Sequence, residues 1–401
     1  MRKTSILSLS LLTVMAGAAV APALGVIREY FSDAGPLMIQ LIISTPAALI
    51  FLTSFIFPKL TRLLPVKTLV LVGLAFYVLG GCLAGLFSNI WLVLLFRAFV
   101  GIGVGIIMPL STGLLSFYYP PEEQDRLMGL ASAMNQMGGV VATLIAGFLA
   151  SISWRMSFLV YLMGLISVVL CLIFLPNDRL VRPEQPEDLH ADSKSFGSKN
   201  VDEETIVIKK RHPLIRYYSY IISMFLLMMI FFIYPANFAI ETAKDGIISQ
   251  HWIAVIMAFM DLVAFLGGLC FVHVKKLLRD KTLLFAPVLF LIGYLLLSLN
   301  LGVAGLLLGS AIIGFANGCG VPAIISEASQ KAGKAAVSTV MPLLSAAIYL
   351  GQFVSPFAMS AIRWIQIPHL PYWFAACLAC LMILWTLLHL RRQGRPQDPV
   401  S

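Results

Sequence analysis

Charge is what this sequence has least of. Only 12% of its 401 residues are Asp, Glu, Lys or Arg, where a soluble domain carries about 25%. A chain this long cannot cover a water-exposed surface with so little charge, so soluble folds are excluded. Catalytic signatures are missing too. No Walker A, H-E-x-x-H or G-x-S-x-G pattern occurs, which speaks against ATP-driven, metalloprotease and serine-hydrolase chemistry. The six cysteines all fall in apolar runs. Cys377 and Cys380 form a C-x-x-C, but inside a lipid-length run it reads as two small apolar residues on one helical face. We therefore expect no metal site, no cofactor and no enzymatic activity. N-x-S/T sequons are also absent, which fits a bacterial plasma membrane.

What is present is apolar length. Hydrophobic residues make up 59% of the chain, and mean hydropathy is +0.92. The runs reach about 20 residues without period-2 alternation, which predicts membrane-spanning helices rather than a β-barrel. Twelve runs can be placed, near 4–26, 36–58, 67–87, 90–115, 127–150, 154–175, 214–240, 250–272, 281–300, 302–325, 335–361 and 370–390. The first has the basic start of a signal peptide, Arg2 and Lys3, but its apolar run continues past the small residues of 16–21 to Val26. It reads as an uncleaved first helix.

The formal net charge of +9 follows from topology and is not a nucleic-acid signal. Of the 28 basic residues, Arg28, Arg155, Lys244 and Arg363 fall on one side of the twelve runs and Arg97 lies within the fourth. All the others fall on the other side, which the positive-inside rule makes cytoplasmic. Both termini are expected there. Trp91, Trp154, Trp252, Trp364 and Trp373 sit near the outer ends, as an aromatic belt requires. Residues 176–212 hold Asp178, Glu184, Glu187, Asp188, Asp192, Asp202, Glu203 and Glu204 and no run long enough to span. They read as a cytoplasmic linker between a six-helix bundle at 1–175 and a second at 213–401.

The halves are related by one ungapped spacing of 213 residues. It joins Pro22 to Pro235, Arg62 to Lys275, Gly101 to Gly314, Gly105 to Gly318, Pro109 to Pro322, and Gly138 to Gly351. An even number of helices per half makes the repeat parallel, about an axis along the membrane normal. That arrangement puts a substrate site between the halves near mid-membrane.

Three stretches carry a family resemblance. Leu94-Leu95-Phe96-Arg97-Ala98-Phe99-Val100-Gly101-Ile102-Gly103 places an arginine before glycines at plus four and plus six. Tyr119-Pro120-Pro121-Glu122-Glu123-Gln124-Asp125-Arg126 leads into the fifth run, and Trp154-Arg155-Met156-Ser157-Phe158-Leu159 opens the sixth. Together they make the chain resemble the major facilitator superfamily over essentially its whole length, most of all the twelve-helix drug:proton antiporter branch. The resemblance implies two pseudo-symmetric six-helix bundles and no catalysis. Two departures stand out. In Pro58-Lys59-Leu60-Thr61-Arg62-Leu63-Leu64-Pro65-Val66-Lys67 the family's Asp position holds Arg62 and its second Gly position holds Pro65. In Ala142-Thr143-Leu144-Ile145-Ala146-Gly147 the antiporter motif's proline is missing, while the repeat-related run carries Pro356.

Ionisable groups within a bilayer are expensive and default to functional roles. Arg97 stays charged, so it is a candidate to hold an anionic substrate group or to tune a partner carboxyl. Asp261, near the centre of the eighth run, is the best-placed proton carrier. In many drug antiporters an acid on the first helix has that task, and here the first run has none between Lys3 and Arg28. Glu241 and Glu327 fall at helix ends. Asn237, Gln40, Asn135, Gln136, Asn317 and Gln352 are uncharged candidates for substrate contact. Gly101, Gly103, Gly105, Gly314, Gly318 and Gly320 are expected to permit close helix packing, with Pro109, Pro322 and Pro356 as kinks. The expected activity is proton-coupled export of a small organic compound by alternating access. Its partners are protons, the substrate and the bilayer, and the protein is expected to be a monomer that binds no nucleic acid. Proton-coupled uptake of a nutrient, or a membrane-embedded enzyme or receptor on the same scaffold, are the alternatives.

Overall fold

Backbone groups in lipid must find partners within their own segment, and the fold meets that demand with helices. The computed structural model describes residues 2–178 and 217–393. Most of the expected linker, 176–212, lies outside the described residues. The elements are α1 (Arg2–Tyr30), α2 (Pro36–Leu63), α3 (Val66–Ala84), α4 (Ile90–Tyr118), α5 (Pro121–Ile152), α6 (Met156–Phe174), α7 (Tyr218–Asp245), α8 (Gln250–Leu278) and α9 (Thr282–Ser298). Helical structure then runs unbroken over Gly302–Ala361. It holds two membrane-length spans, α10 (Gly302–Lys331) and α11 (Val340–Ala361), and α12 (Leu370–Gln393) follows.

Eleven of these are long and apolar enough to cross a membrane, and α9 is an apolar helix one residue short of that length. The 3-10 turn Arg279–Lys281 extends it. The helices expose apolar side chains such as Phe55, Leu79, Phe148 and Leu269 outward, as a lipid-facing surface requires. Trp91, Trp252, Trp364 and Trp373 are exposed near the ends away from the basic loops. Trp154 differs, being buried against Tyr30, Phe31 and Phe158. It is a core aromatic, not part of the belt. Cys377 and Cys380 are free and exposed on α12.

Prolines set the irregularities. In α1 the helix stops at Ala18, makes a 3-10 turn over Ala21–Ala23 and resumes at Leu24, because Pro22 has no N–H and its ring collides with the preceding turn. Pro46, Pro109, Pro235, Pro322 and Pro356 stay inside helices. Each leaves a carbonyl one turn earlier without its usual donor.

Small residues decide which helices touch. A Cβ on Gly101 or Gly105 would press into Pro46 and Thr53 of α2, and one on Gly103 into Gly73 of α3. In the second half, Gly314 and Gly318 lie against the backbone of Met260 and Ala264 on α8. Gly138 sits on Leu11 of α1, while Gly351 sits on Phe225 of α7. The pairs that the 213-residue spacing relates therefore make the same contact in each half, α4 on α2 as α10 on α8, and α5 on α1 as α11 on α7. This is close packing of the small-residue kind that drives helix association in lipid.

Candidate substrate and proton pathway

The halves meet along α5 and α8, α2 and α11, and α1 and α7. Small residues mark two of these seams. Gly147 on α5 touches Ala254 on α8, and Gly25 on α1 approaches the backbone of Ala239 on α7. Polar side chains on the seams are where the halves exchange hydrogen bonds.

Asp261 is on the α5–α8 seam. Its carboxylate Oδ2 accepts from Thr143 Oγ1 at 3.1 Å, a bond between the halves. A Cβ on Gly139, one turn before Thr143, would stand 3.9 Å from that oxygen and 2.8 Å from Val14. Val14 of α1 lines the same spot. A carboxyl held by one neutral hydroxyl can change partners and protonation when that bond is broken. Thr143 escaped notice in the sequence because a lone threonine in an apolar run carries no signal of its own.

A second polar group joins the halves on the face opposite the basic loops. Gln40 of α2 donates from Nε2 to Asn237 Oδ1 of α7, and its Oε1 accepts from Arg363 Nη2 at 2.8 Å. Asn237 Nδ2 in turn donates to Ile233 O at 2.8 Å, one turn back on its own helix. Gln250 Nε2 of α8 donates to Pro22 O of α1 at 2.5 Å, a carbonyl at the break in α1. Gln40 and Asn237 were expected near the substrate. They face each other across the halves, and Arg363, unremarkable as a loop arginine in the sequence, completes the group.

Arg97 has a different setting. Its side chain is 0% exposed, and its donors are taken. Nε donates to Ile42 O at 2.7 Å, Nη2 to Ala16 O at 2.5 Å and Nη1 to Tyr161 Oη. Tyr161 Oη also donates to Ala16 O at 2.8 Å. Both carbonyls are ones a helix break has freed. Pro46 cannot donate to Ile42 O, and the break in α1 diverts Val20 N to Gly17 O. Arg97 thus fastens α4 to α1, α2 and α6. The structure brings it neither to a cavity nor beside Asp261. Its described hydrogen bonds all lie within the first half, and none is to Asp261.

The remaining candidates scatter. Asn135 Oδ1 accepts from Thr13 of α1 at 3.0 Å, with Gln136 half-buried next to it on α5. Gln352 of α11 is buried and lies against Gly17 of α1, again across the halves. Asn317 of α10 has a buried Oδ1 bonded to nothing in the described residues. Of these four, Gln352 alone has a described contact across the halves. Among the described residues no cluster of His, Cys, Asp or Glu could hold a metal ion.

Comparison with known proteins agrees with this architecture. The Major Facilitator Superfamily profile matches residues 6–356. Multidrug resistance protein 3 of Bacillus subtilis is 30% identical over 104 residues, 26% of this chain and 20% of that protein. Multidrug resistance protein B homolog of Mycobacterium tuberculosis is 33% identical over 105 residues, again 26% of this chain and 19% of its own length. The chain thus spans about a fifth of the length of these relatives. Among solved structures, that of the nucleoside transporter NupG (D323A mutant) superposes with a TM-score of 0.74 at 13% identity, covering 97% of this chain and 99% of its own. At that identity the likeness is one of fold.

Proposed function

The chain belongs to the Major Facilitator Superfamily and is a multi-pass membrane transporter of small molecules. On that premise we propose that it exports a small organic compound in exchange for protons, with Asp261 as the proton carrier. In this reading residues 1–175 and 213–401 rock against each other, and the excess of basic loops on one side supports a cytoplasmic position for both termini in a bacterial cell.

One observation carries this reading. Asp261 is a carboxyl on the seam between the halves, held by a single hydroxyl from the opposite half. When the seam parts, that hydrogen bond breaks and water reaches the carboxyl, which can then exchange its proton on the newly opened side. When the seam closes, water leaves and the bond to Thr143 forms again, so the proton is carried rather than exchanged. The alternation of partners is the property that coupling demands. In this reading Gln136, Asn317 and Gln352 supply hydrogen-bonding positions for the cargo; the support is the buried Asn317 Oδ1, unpaired among the described residues, and the place of Gln352 against Gly17 of the other half. In the proposed cycle the Gln40–Asn237–Arg363 group, which bonds the halves at the outer face, keeps that face closed while the substrate enters from the basic, cytoplasmic face. Partial matches to multidrug resistance proteins support export as the direction.

The test is flux in inside-out vesicles from cells overexpressing the protein, with a panel of fluorescent drugs and an imposed pH gradient. Asp261→Asn is expected to abolish gradient-driven flux while leaving counterflow exchange of the same compound. Gradient-driven flux equal to wild type, at matched expression, removes Asp261 from the mechanism. Accumulation in the opposite orientation only would make the protein an importer.

A further inference from the structure

Beside the outer polar group lies a cavity of about 150 Å³, lined by Arg28, Gln40, Asn237, Glu241, Lys244 and Arg363 among others. Its charges do not balance. Glu241 Oε1 is taken by Lys244 Nζ at 2.6 Å, while Arg28 and Arg363 are in none of the described ion pairs. Asp245, next on the chain, faces His369 Nδ1 at 3.8 Å and lies outside the cavity wall. Arg363 Nε is buried and bonded to nothing in the described residues. The two guanidinium groups also feel each other. Burial, with the Arg28 charge second, lowers Arg363 to about 10, which still leaves it protonated at neutral pH. The cavity wall thus carries Arg28, Lys244 and Arg363 against one carboxylate, Glu241, and Arg363 keeps a buried donor unpaired, a balance that favours a further anion.

We propose that this cavity is an anion site, with Arg363 and Arg28 as its charged donors and the amides of Gln40 and Asn237 at its floor. Its volume is well below the roughly 300–1,000 Å³ of a drug-sized pocket, so it takes a small anion or the carboxylate end of a larger one. The guanidinium of Arg363 also donates to Gln40, so an anion there touches the group that joins the halves at the outer face. The inference does not rest on the direction of transport or on Asp261.

The experiment uses the purified full-length protein in detergent, with thermal unfolding followed as sodium benzoate, sodium chloride or neutral benzamide is added at equal concentrations. A Tm that climbs with the logarithm of benzoate concentration is expected. Benzamide should have no such effect, and Arg363→Gln and Arg28→Gln should each weaken the apparent affinity at least tenfold. If chloride raises Tm as benzoate does and loses the effect in both variants, the site stands and its ligand is a free inorganic anion. If only benzoate acts, the ligand is a carboxylate. Should Arg363→Gln fail to purify as a monodisperse species, Arg28→Gln carries the comparison. No rise with either anion, an equal rise with benzamide, or a rise that survives both substitutions overturns the proposal.

Discussion

Replacing Arg97 by methionine separates a fastening role from a transport role, and the structure gives the size of the effect. Methionine keeps much of the volume and removes every donor. Ala16 O keeps Tyr161 Oη at 2.8 Å, so it stays satisfied. Ile42 O loses its donor at 2.7 Å, and Pro46 has no N–H to offer in its place. One orphaned buried carbonyl costs about 1–3 kcal/mol. Side-chain hydrogen bonds between membrane helices measure lower, about 0.6 kcal/mol on average and about 1.7 at most. Against this, removing a buried guanidinium relieves part of its desolvation. The net loss should therefore be small, about 1 kcal/mol, which for a chain of this size lowers Tm by roughly 2 °C or less. Pro46→Ala sharpens the test, because an alanine there restores a backbone N–H that can reach Ile42 O. In that background Arg97→Met should cost less than it does in wild type, so the two substitutions couple by about 0.5–1.5 kcal/mol. The assay is thermal unfolding of the four purified proteins, with flux of a transported dye in vesicles as the second readout. Strict additivity would refute the hydrogen-bond account. A wild-type Tm with transport abolished would return Arg97 to the transport pathway.

Three further outcomes are expected. Thr143→Val should lower proton-driven flux severalfold while Thr143→Ser retains it, since serine keeps the hydroxyl that Asp261 accepts from; equal fluxes in the two would make the methyl group, not the hydroxyl, the working part. Gly318→Val should fail to accumulate as a folded, monodisperse protein because its side chain would meet the Ala264 carbonyl, whereas Gly113→Ala, with nothing within 4 Å, should purify normally, as judged by fluorescence-detected size exclusion. Gln40→Leu breaks both hydrogen bonds of Gln40 and should raise labelling of Ile240→Cys, buried in the same cavity wall, by an impermeant maleimide in a cysteine-free background, and unchanged labelling would mean the apolar seam alone keeps that face closed.

What could be read from the sequence was whatever depends on repetition. Apolar length placed the spans, and the helix over 36–58 grew only to Leu63 and that over 127–150 only to Pro121–Ile152, because helix ends outside lipid carry no hydropathy signal. The 213-residue spacing located contacts that the structure repeats in both halves, since a glycine chosen for close approach marks the same crossing twice. Pairings made once were not legible. Position 310 is the counterpart of Arg97 at that spacing, and it is Ser310, bonded to Tyr234 Oη at 2.7 Å. Pro235 frees the Phe231 carbonyl, which Tyr294 Oη meets at 3.4 Å while donating to the neighbouring Ile230 O at 2.6 Å. Each half thus closes its helix breaks, but one does so with a guanidinium and the other with hydroxyls. A buried arginine read by itself suggests function because its cost is high. Read with Pro46 four residues after Ile42, it has two freed carbonyls to answer. Asp261 has no such demand in its surroundings: one threonine hydroxyl, on the far side of a seam, is its described hydrogen-bond partner. That difference in satisfaction, more than depth in the membrane, is the ground for proposing Asp261 rather than Arg97 as the proton carrier.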